Sequence, residues 1–173
     1  LDLANGPIQS LKEVLQSNDL PEDFLKRIEY RGYDTDSSVQ TDNHEWVEEA
    51  RIPGSYAFHA ADALKKPFTG ESKTCFNDIV YSTGFFDYLG DSMLKLLWKK
   101  SYQSLKPNGT LIISLKDSAK YQAQIYHYLV HWDHFLQRTE AEFLKLLEEA
   151  GLKPERCVRD STGIILFYVI RKE

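Results

Sequence analysis

The feature that most constrains the fold of this chain is the alternation of apolar runs with amphipathic segments of helical period. Residues 76–84 (FNDIVYSTG) and 110–115 (TLIISL) are apolar runs of strand length. Between them, residues 91–105 place Leu94 and Trp98 on one helical face. Apolar strands that alternate with helices are typical of sheets covered on both sides. The sequence therefore predicts an α/β fold with a mostly parallel sheet.

Further elements follow from the same patterns. Thr139 and Glu142 form a capping box before a helix that Gly151 ends, and Asp91 is placed to cap the helix at 91–105. The turn at 160–163 (DSTG) predicts an antiparallel hairpin at the C-terminus. The remaining predicted elements are strands at 27–34, 55–63, 155–160 and 164–171, helices at 9–16, 38–50, 118–137 and 140–150, and turns at 53–54 and 106–109.

Length and charge limit the organisation and the partners. A chain of 173 residues predicts a single domain spanning residues 1–173. Because the chain opens at Leu1 inside a strand end, we expect a segment to precede it. With 21 basic and 26 acidic residues, the net charge is −5, which disfavours nucleic acid as a partner. No run of apolar residues approaches the length of about 18 that a membrane helix requires. Two isolated cysteines fit a reducing compartment, so we expect a cytoplasmic protein. The sequence does not determine its oligomeric state.

The residues that close each strand carry the functional signal, because open α/β sheets bind ligands at the carboxyl ends of their strands. After the first strand, residues 2–7 (DLANGP) contain Gly6, which would let a ligand approach the backbone closely. An ordinary strand-to-helix turn explains the same segment equally well. After the second strand, Asp34 can accept hydrogen bonds from ribose hydroxyls. Asp36 could do the same or cap the next helix.

Two later strand ends continue this series. Asp62, within residues 61–63 (ADA), can accept the exocyclic amine of an adenine. Residues 82–88 (STGFFDY) mix small and aromatic side chains where a substrate would meet a cofactor. The four strand ends follow one another along a chain of alternating strands and helices, as expected of a single ligand site. The set is therefore more informative than any one member.

These segments resemble the class I (Rossmann-like) S-adenosylmethionine-dependent methyltransferases. The similarity lies in LDLANGP, YDTD, HAADAL, NDIVYSTGFFDYL and SLKPNGTLIIS, at residues 1–7, 33–36, 59–64, 77–89 and 104–114. The resemblance implies a Rossmann-like three-layer α/β/α fold with a seven-stranded, mostly parallel sheet and an antiparallel C-terminal hairpin strand. Pro7 and Ile8 depart from the family pattern, because small residues are usual there.

The resemblance also implies a cofactor, S-adenosyl-L-methionine, and the residues that bind it. The first loop would lie against the methionine part, Asp34 would hold the ribose, and Asp62 would face adenine. Ser82 to Gly84 would line the sulfonium. The cofactor-binding residues implied in this way are Asp2, Leu3, Ala4, Asn5, Gly6, Asp34, Asp36, Asp62, Ala63, Ser82, Thr83 and Gly84.

The methyl acceptor is less constrained by the sequence. The aromatic segment at 118–137 contains His131 and His134, which share a helix face and are candidates for catalysis. No third ligand of fixed spacing accompanies them, so no metal site is predicted. The alternative is an amphipathic helix whose aromatic residues only pack on the sheet. The candidate acceptor-binding residues are Phe85, Tyr88, Trp132 and Arg138, the last as a partner for an anionic group.

The main functional hypothesis is therefore a methyltransferase that acts through oxygen on a small or lipid-like acceptor. A narrower resemblance, to bacterial methyltransferases linked to 3-hydroxy fatty acid methyl ester synthesis, rests on residues 86–89, on Trp132 with Arg138, and on residues 160–163. A nicotinamide-dependent oxidoreductase is an alternative, although GxGxxG is absent. A methyltransferase-like binding module without catalysis is another.

Overall fold

A computed structural model describes residues 1–17, 19–68, 76–121, 128 and 136–173. The chain divides into two compact units, Leu1–Thr69 and Gly70–Glu173. The single domain expected from the length of the chain stays a prediction. None of the helices within the described ranges is long and apolar enough to cross a membrane.

The first unit contains a parallel arrangement of three strands with β2 in the middle. Residues 2–3 of β1 pair with residues 32–33 of β2, and the whole of β2 pairs with β3. The carboxyl ends of β1 and β2 therefore lie next to each other. The elements of this unit are β1 (Asp2–Leu3), α1 (Gln9–Gln16), α2 (Glu22–Leu25), β2 (Glu29–Asp34), α3 (Ser37–Glu49) and β3 (Ser55–Ala60).

The second unit is built around β5, which pairs with β4 in parallel and with β7 in antiparallel orientation. β6 then pairs with β7 as the predicted antiparallel hairpin. The elements of this unit are β4 (Asn77–Ser82), α4 (Asp91–Ser104), β5 (Leu105–Lys116), α5 (Glu140–Glu149), β6 (Arg156–Arg159) and β7 (Ile165–Arg171). The predicted fold class is thus confirmed: a seven-stranded, mostly parallel sheet with helices and an antiparallel C-terminal strand.

An aromatic cluster forms the core of the second unit. The Trp98 ring meets Phe86 and Phe143 edge to face, with centroids 6.1 and 5.0 Å apart. Phe143 in turn stacks on Tyr168 at 5.5 Å. All four side chains are buried, and such pairs contribute about 0.5–1.5 kcal/mol beyond their buried area. The apolar face predicted for residues 91–105 is therefore part of the core.

Two predicted elements differ in the structure. The strand predicted over 55–63 ends at Ala60. The predicted turn at 106–109 lies inside β5, between the pairs Asn77–Leu105 and Ile79–Thr110, so these four residues bulge without ending the strand. Asn108 takes the left-handed conformation there, with φ 62°.

One predicted helix cap is present in the structure and another is not. The capping box of Thr139 and Glu142 is present, and Gly151 follows α5 with φ 73°. Asp91 does not cap α4, because Gly90 is the N-cap residue and no side chain caps it. Asp91 is the first helical residue instead. The helix predicted at 118–137 lies mostly outside the described residues.

Candidate functional site

The loop after β1 has an unusual backbone. Ala4, Gly6 and Ile8 all have positive φ, at 54°, 48° and 47°. A non-glycine residue in this conformation costs of order 1–3 kcal/mol and persists only when its surroundings hold it there. These residues occupy every second position of the loop. The loop therefore has a backbone suited to three glycines, although only one of the three residues, Gly6, is a glycine. A Cβ on Gly6 would meet no atom within 4 Å, so the backbone here faces open space.

A buried polar network holds this loop in place. The Asn5 amide group donates to the Gly6 carbonyl at 2.7 Å and exchanges hydrogen bonds with Gln40 at 2.9 and 3.3 Å. Asn43 donates to the same Gly6 carbonyl at 2.7 Å. Asn5, Gln40 and Asn43 are all buried. Gln40 and Asn43 were missed by the sequence analysis, and their spacing of three residues on α3 is the signal that could have found them.

Asp34 and Gly6 are brought together at the ends of β2 and β1. The Gly6 N–H donates to Asp34 Oδ2 at 3.1 Å, and the Asp36 N–H donates to Asp34 Oδ1 at 3.1 Å. A carboxylate has about four lone-pair sites, so each oxygen keeps capacity for another donor. Asp34 is half-buried. It can therefore accept ligand hydroxyl groups beside the open space at Gly6.

Asp2 and Asp36 have their own partners in the first unit. Asp2 is buried and accepts a hydrogen bond from the Tyr30 hydroxyl at 2.7 Å. Asp36 caps α3, accepting from the Ser38 and Val39 N–H groups at 2.9 and 3.4 Å. Hydrogen bonds from the Ser38 hydroxyl and these amides lower the pKa of Asp36. Of the two roles considered for Asp36, the structure shows the helix cap.

Asp62 lies in the turn that follows β3. It accepts a hydrogen bond from the Leu64 N–H at 2.8 Å and pairs with Lys65 at 3.3 Å. The Leu64 amide, with help from Lys65, lowers the pKa of Asp62, so this acid is ionised at neutral pH. Ala63 beside it is buried. Asp62 thus presents a charged acceptor of the kind that an amine donor requires.

In the second unit, the loop after β4 is fixed by the neighbouring strand. Ser114 of β5 donates from its hydroxyl to the Ser82 carbonyl at 3.1 Å and accepts from the Gly84 N–H at 3.0 Å. Gly84 has φ 90°, and a Cβ there would meet no atom within 4 Å. Thr83 between them is exposed. Ser114 was not predicted as a site residue, because its role depends on strand pairing.

The predicted acceptor residues are only partly described. Phe85 is half-buried and Tyr88 exposed in the 3-10 turn at 85–88, whereas His131, His134 and Trp132 lie outside the described residues. Arg138 is 5% exposed, and its Nη2 donates to Asp91 Oδ1 at 2.7 Å and to the Leu89 carbonyl at 2.5 Å. Asp91 already neutralises this guanidinium. The structure thus gives Arg138 a partner within the protein, which was not anticipated.

The chain is similar to known proteins at the level of structure. No model of a known protein family matches the sequence, and no curated protein matches it. Many solved structures share the fold. A possible exported protein from Bordetella parapertussis is 22% identical with TM-score 0.72, covering 99% of this chain and 60% of its own. The CurJ carbon methyltransferase is 13% identical with TM-score 0.73, covering 98% and 47%.

A third similar structure has a ligand. Magnesium protoporphyrin IX methyltransferase from Synechocystis PCC 6803, with bound S-adenosylhomocysteine (SAH), is 15% identical with TM-score 0.68, covering 99% of this chain and 73% of that one. The chain spans three fifths of the length of the Bordetella protein and about half of the length of CurJ. At these identities the similarity concerns the fold. This chain therefore has the Rossmann-like fold that these methyltransferases share.

Proposed function

We propose that this protein is an S-adenosylmethionine-dependent methyltransferase that methylates an oxygen atom of a small or lipid-like acceptor. The observation that carries the proposal is the loop after β1. Its alternating positive φ angles at residues 4, 6 and 8 persist without glycine at two positions, and its Gly6 N–H is bonded to Asp34. Strain retained at a strand end points to a function that requires that backbone.

The residues of the first unit fit the polar parts of an adenosyl cofactor. The open space at Gly6 would admit the methionine part, and Asp34 would accept hydrogen bonds from the ribose hydroxyls. Asp62, ionised by its hydrogen bonds, would accept from the adenine amine. The resemblance to the methyltransferase family alone assigns Asp2 to the amino group of the methionine part of the cofactor.

In the second unit, the resemblance assigns Ser82, Thr83 and Gly84 to the sulfur end of the cofactor. Ser114 would keep this loop in place through its bonds to Ser82 and Gly84. The cofactor would supply an electrophilic methyl group on a cationic sulfur. Such a transfer depends on proximity and alignment, which a rigid loop provides. The narrower resemblance to 3-hydroxy fatty acid methyl ester enzymes stays a prediction from sequence alone.

Calorimetric titration of the folded protein with SAH tests the proposal. We expect saturable one-to-one binding, with no comparable binding of NAD⁺ under the same conditions. Transfer of a labelled methyl group to a panel of hydroxyl and carboxylate acceptors would then separate an enzyme from a binding module. Binding of NAD⁺ without SAH would contradict the proposal and favour the oxidoreductase alternative. A folded protein that binds neither would contradict it as well.

A further inference from the structure

The second unit contains a cavity of about 180 Å³ next to the loop after β4. Gly84 and Ser114 lie at one part of its wall, and Ile165 and Phe167 of β7 contribute apolar surface. The polar groups of Ser114 are already used within the protein, in its bonds to Gly84 and Ser82. The cavity is therefore apolar over much of its lining, and its ionisable residues are one acid, Asp87, and one base, Lys116.

Asp87 lies in the 3-10 turn at 85–88 and is only 4% exposed. Its backbone carbonyl accepts a hydrogen bond from the Leu136 N–H at 2.6 Å. A hydrogen bond from the Lys116 backbone amide also reaches its carboxylate. This geometry fixes the acid at the wall of the cavity.

The charge environment of Asp87 differs from that of an ordinary buried ion pair. Burial raises its pKa to about 6, although the positive charges of Lys116 and Arg138 act in the opposite direction. The Arg138 bonds go to Asp91 and to the Leu89 carbonyl. For Asp87 the effect of burial exceeds the opposing effects of Lys116 and Arg138, and its raised pKa lets it exchange a proton near neutral pH.

We propose that the cavity binds the hydroxyl-bearing apolar end of the methyl acceptor and that Asp87 takes up the proton of that hydroxyl. This inference deepens the proposed function and rests on it, because it names the acceptor as a protic alcohol or phenol. Gly84 lines this cavity and also belongs to the loop assigned to the sulfur end of the cofactor.

The reaction balances with these groups alone. The acceptor oxygen forms the new bond to the methyl carbon while its proton passes to the Asp87 carboxylate. The carbon–sulfur bond breaks, and its electron pair remains on the sulfur of the departing SAH. A carboxylate acceptor would need no such base, so the presence of Asp87 favours a hydroxyl over a carboxylate.

Binding of 4-fluorophenol, followed by fluorine NMR, tests the cavity without turnover. We expect the affinity of the wild-type protein to increase about tenfold between pH 5 and pH 8, because an ionised acid accepts a stronger hydrogen bond. Asp87→Asn should lower the affinity at pH 8 about tenfold or more and remove the pH dependence. Asp78→Asn, an exposed acid on β4 paired with Lys106, is the matched control and should behave as wild type.

A parallel titration of each variant with SAH separates the two proposals. Normal SAH binding with phenol binding that depends on Asp87 supports both. Normal SAH binding with no phenol binding, or with binding that ignores pH and Asp87→Asn, overturns the cavity proposal alone. Absence of SAH binding by the folded wild-type protein contradicts the proposed function. The phenol titration still decides in that case whether Asp87 forms part of a binding site.

Discussion

The loop after β1 and the turn after β4 have a similar backbone but surround their carboxylates differently. Each follows a strand end, and each has a glycine of positive φ that faces open space. A carboxylate lies at each of them: Asp34, at the end of β2, accepts from the Gly6 N–H, and Asp87 belongs to the turn itself. Asp34 is half-buried and accepts two backbone N–H groups, whereas Asp87 is almost fully buried beside an apolar cavity. Hydrogen bonding favours the charged form of an acid, and desolvation disfavours it.

The two roles that we propose, ligand binding for Asp34 and proton transfer for Asp87, rest on this difference. The surroundings of Asp34 suit an acid that accepts hydrogen bonds from a polar ligand. The surroundings of Asp87 suit an acid that changes its protonation near pH 6. Within one fold, the number of backbone donors that reach a carboxylate and the extent of its burial decide which of these roles it can perform.

The largest expected effect concerns the stability contributed by Asp87. Its folded pKa of about 6 lies above the ordinary value of 3.8, so the folded state binds the extra proton between these two pH values. Its contribution to stability is therefore fully present below about pH 4 and lost as pH rises through 6. The shift corresponds to about 3 kcal/mol. Urea unfolding at pH 4 to 7 should show Asp87→Asn gaining stability relative to wild type by up to this amount.

The comparison with Asp87→Asn removes the effects of other titrating groups, which the two proteins share. Because the asparagine does not ionise, the difference in the free energy of unfolding isolates residue 87. A difference that stays constant across this pH range would show that burial does not raise the pKa of Asp87, and its proposed role in proton transfer would lose this support.

The second expected effect is the loss of ligand affinity in Asp34→Ala. Hydrogen bonds to a charged group contribute about 1.5–3 kcal/mol, so SAH binding should weaken about 10- to 150-fold in calorimetric titration. Asp42→Ala, an exposed acid on α3 in the same unit, controls for the loss of one negative charge. Equal affinities for the Asp34 variant and wild type would reassign the ribose contact.

Local sequence patterns predicted much of the fold. The capping box at Thr139 and the order of strands and helices depend on neighbouring residues, which a sequence displays directly. The short helix α2 was missed because four residues give too few periods to detect. The bulge at 106–109 was read as a turn because its proline and glycine are typical of turns, while strand pairing on either side keeps it within β5.

The site was predicted less completely, and for a physical reason. Strand-end acids such as Asp34 can be found from their position alone. The network of Asn5, Gln40 and Asn43 joins residues from distant parts of the sequence, so it appears only after folding. The burial of Asp87 likewise depends on its tertiary surroundings, including a cavity to which β7 contributes Phe167. The spacing of Gln40 and Asn43 indicates that they share a face of α3, but no local pattern identifies their partners or the burial of Asp87.

A pair of glycine variants sharpens the comparison at the first loop. Gly6→Ala and Gly151→Ala both place a Cβ on a residue of positive φ where no atom lies within 4 Å. Both should therefore lose a similar stability of about 1–2 kcal/mol. Only Gly6→Ala should also weaken SAH binding, by about tenfold, since its methyl group would occupy space assigned to the ligand. Equal SAH affinities in the two variants would place the ligand elsewhere.

The smallest expected effect tests whether the backbone of the first loop is strained for function. Ala4 has φ 54°, a conformation that glycine adopts without the steric cost of a Cβ. Ala4→Gly should relieve that cost but add freedom to the unfolded chain, leaving a net gain of up to about 1 kcal/mol in urea unfolding. SAH affinity should stay within about twofold of wild type, because the backbone shape is kept. A clear loss of stability would mean that the loop does not hold this conformation in solution, and the conformation at Gly6 that the proposed function requires would then lack its support.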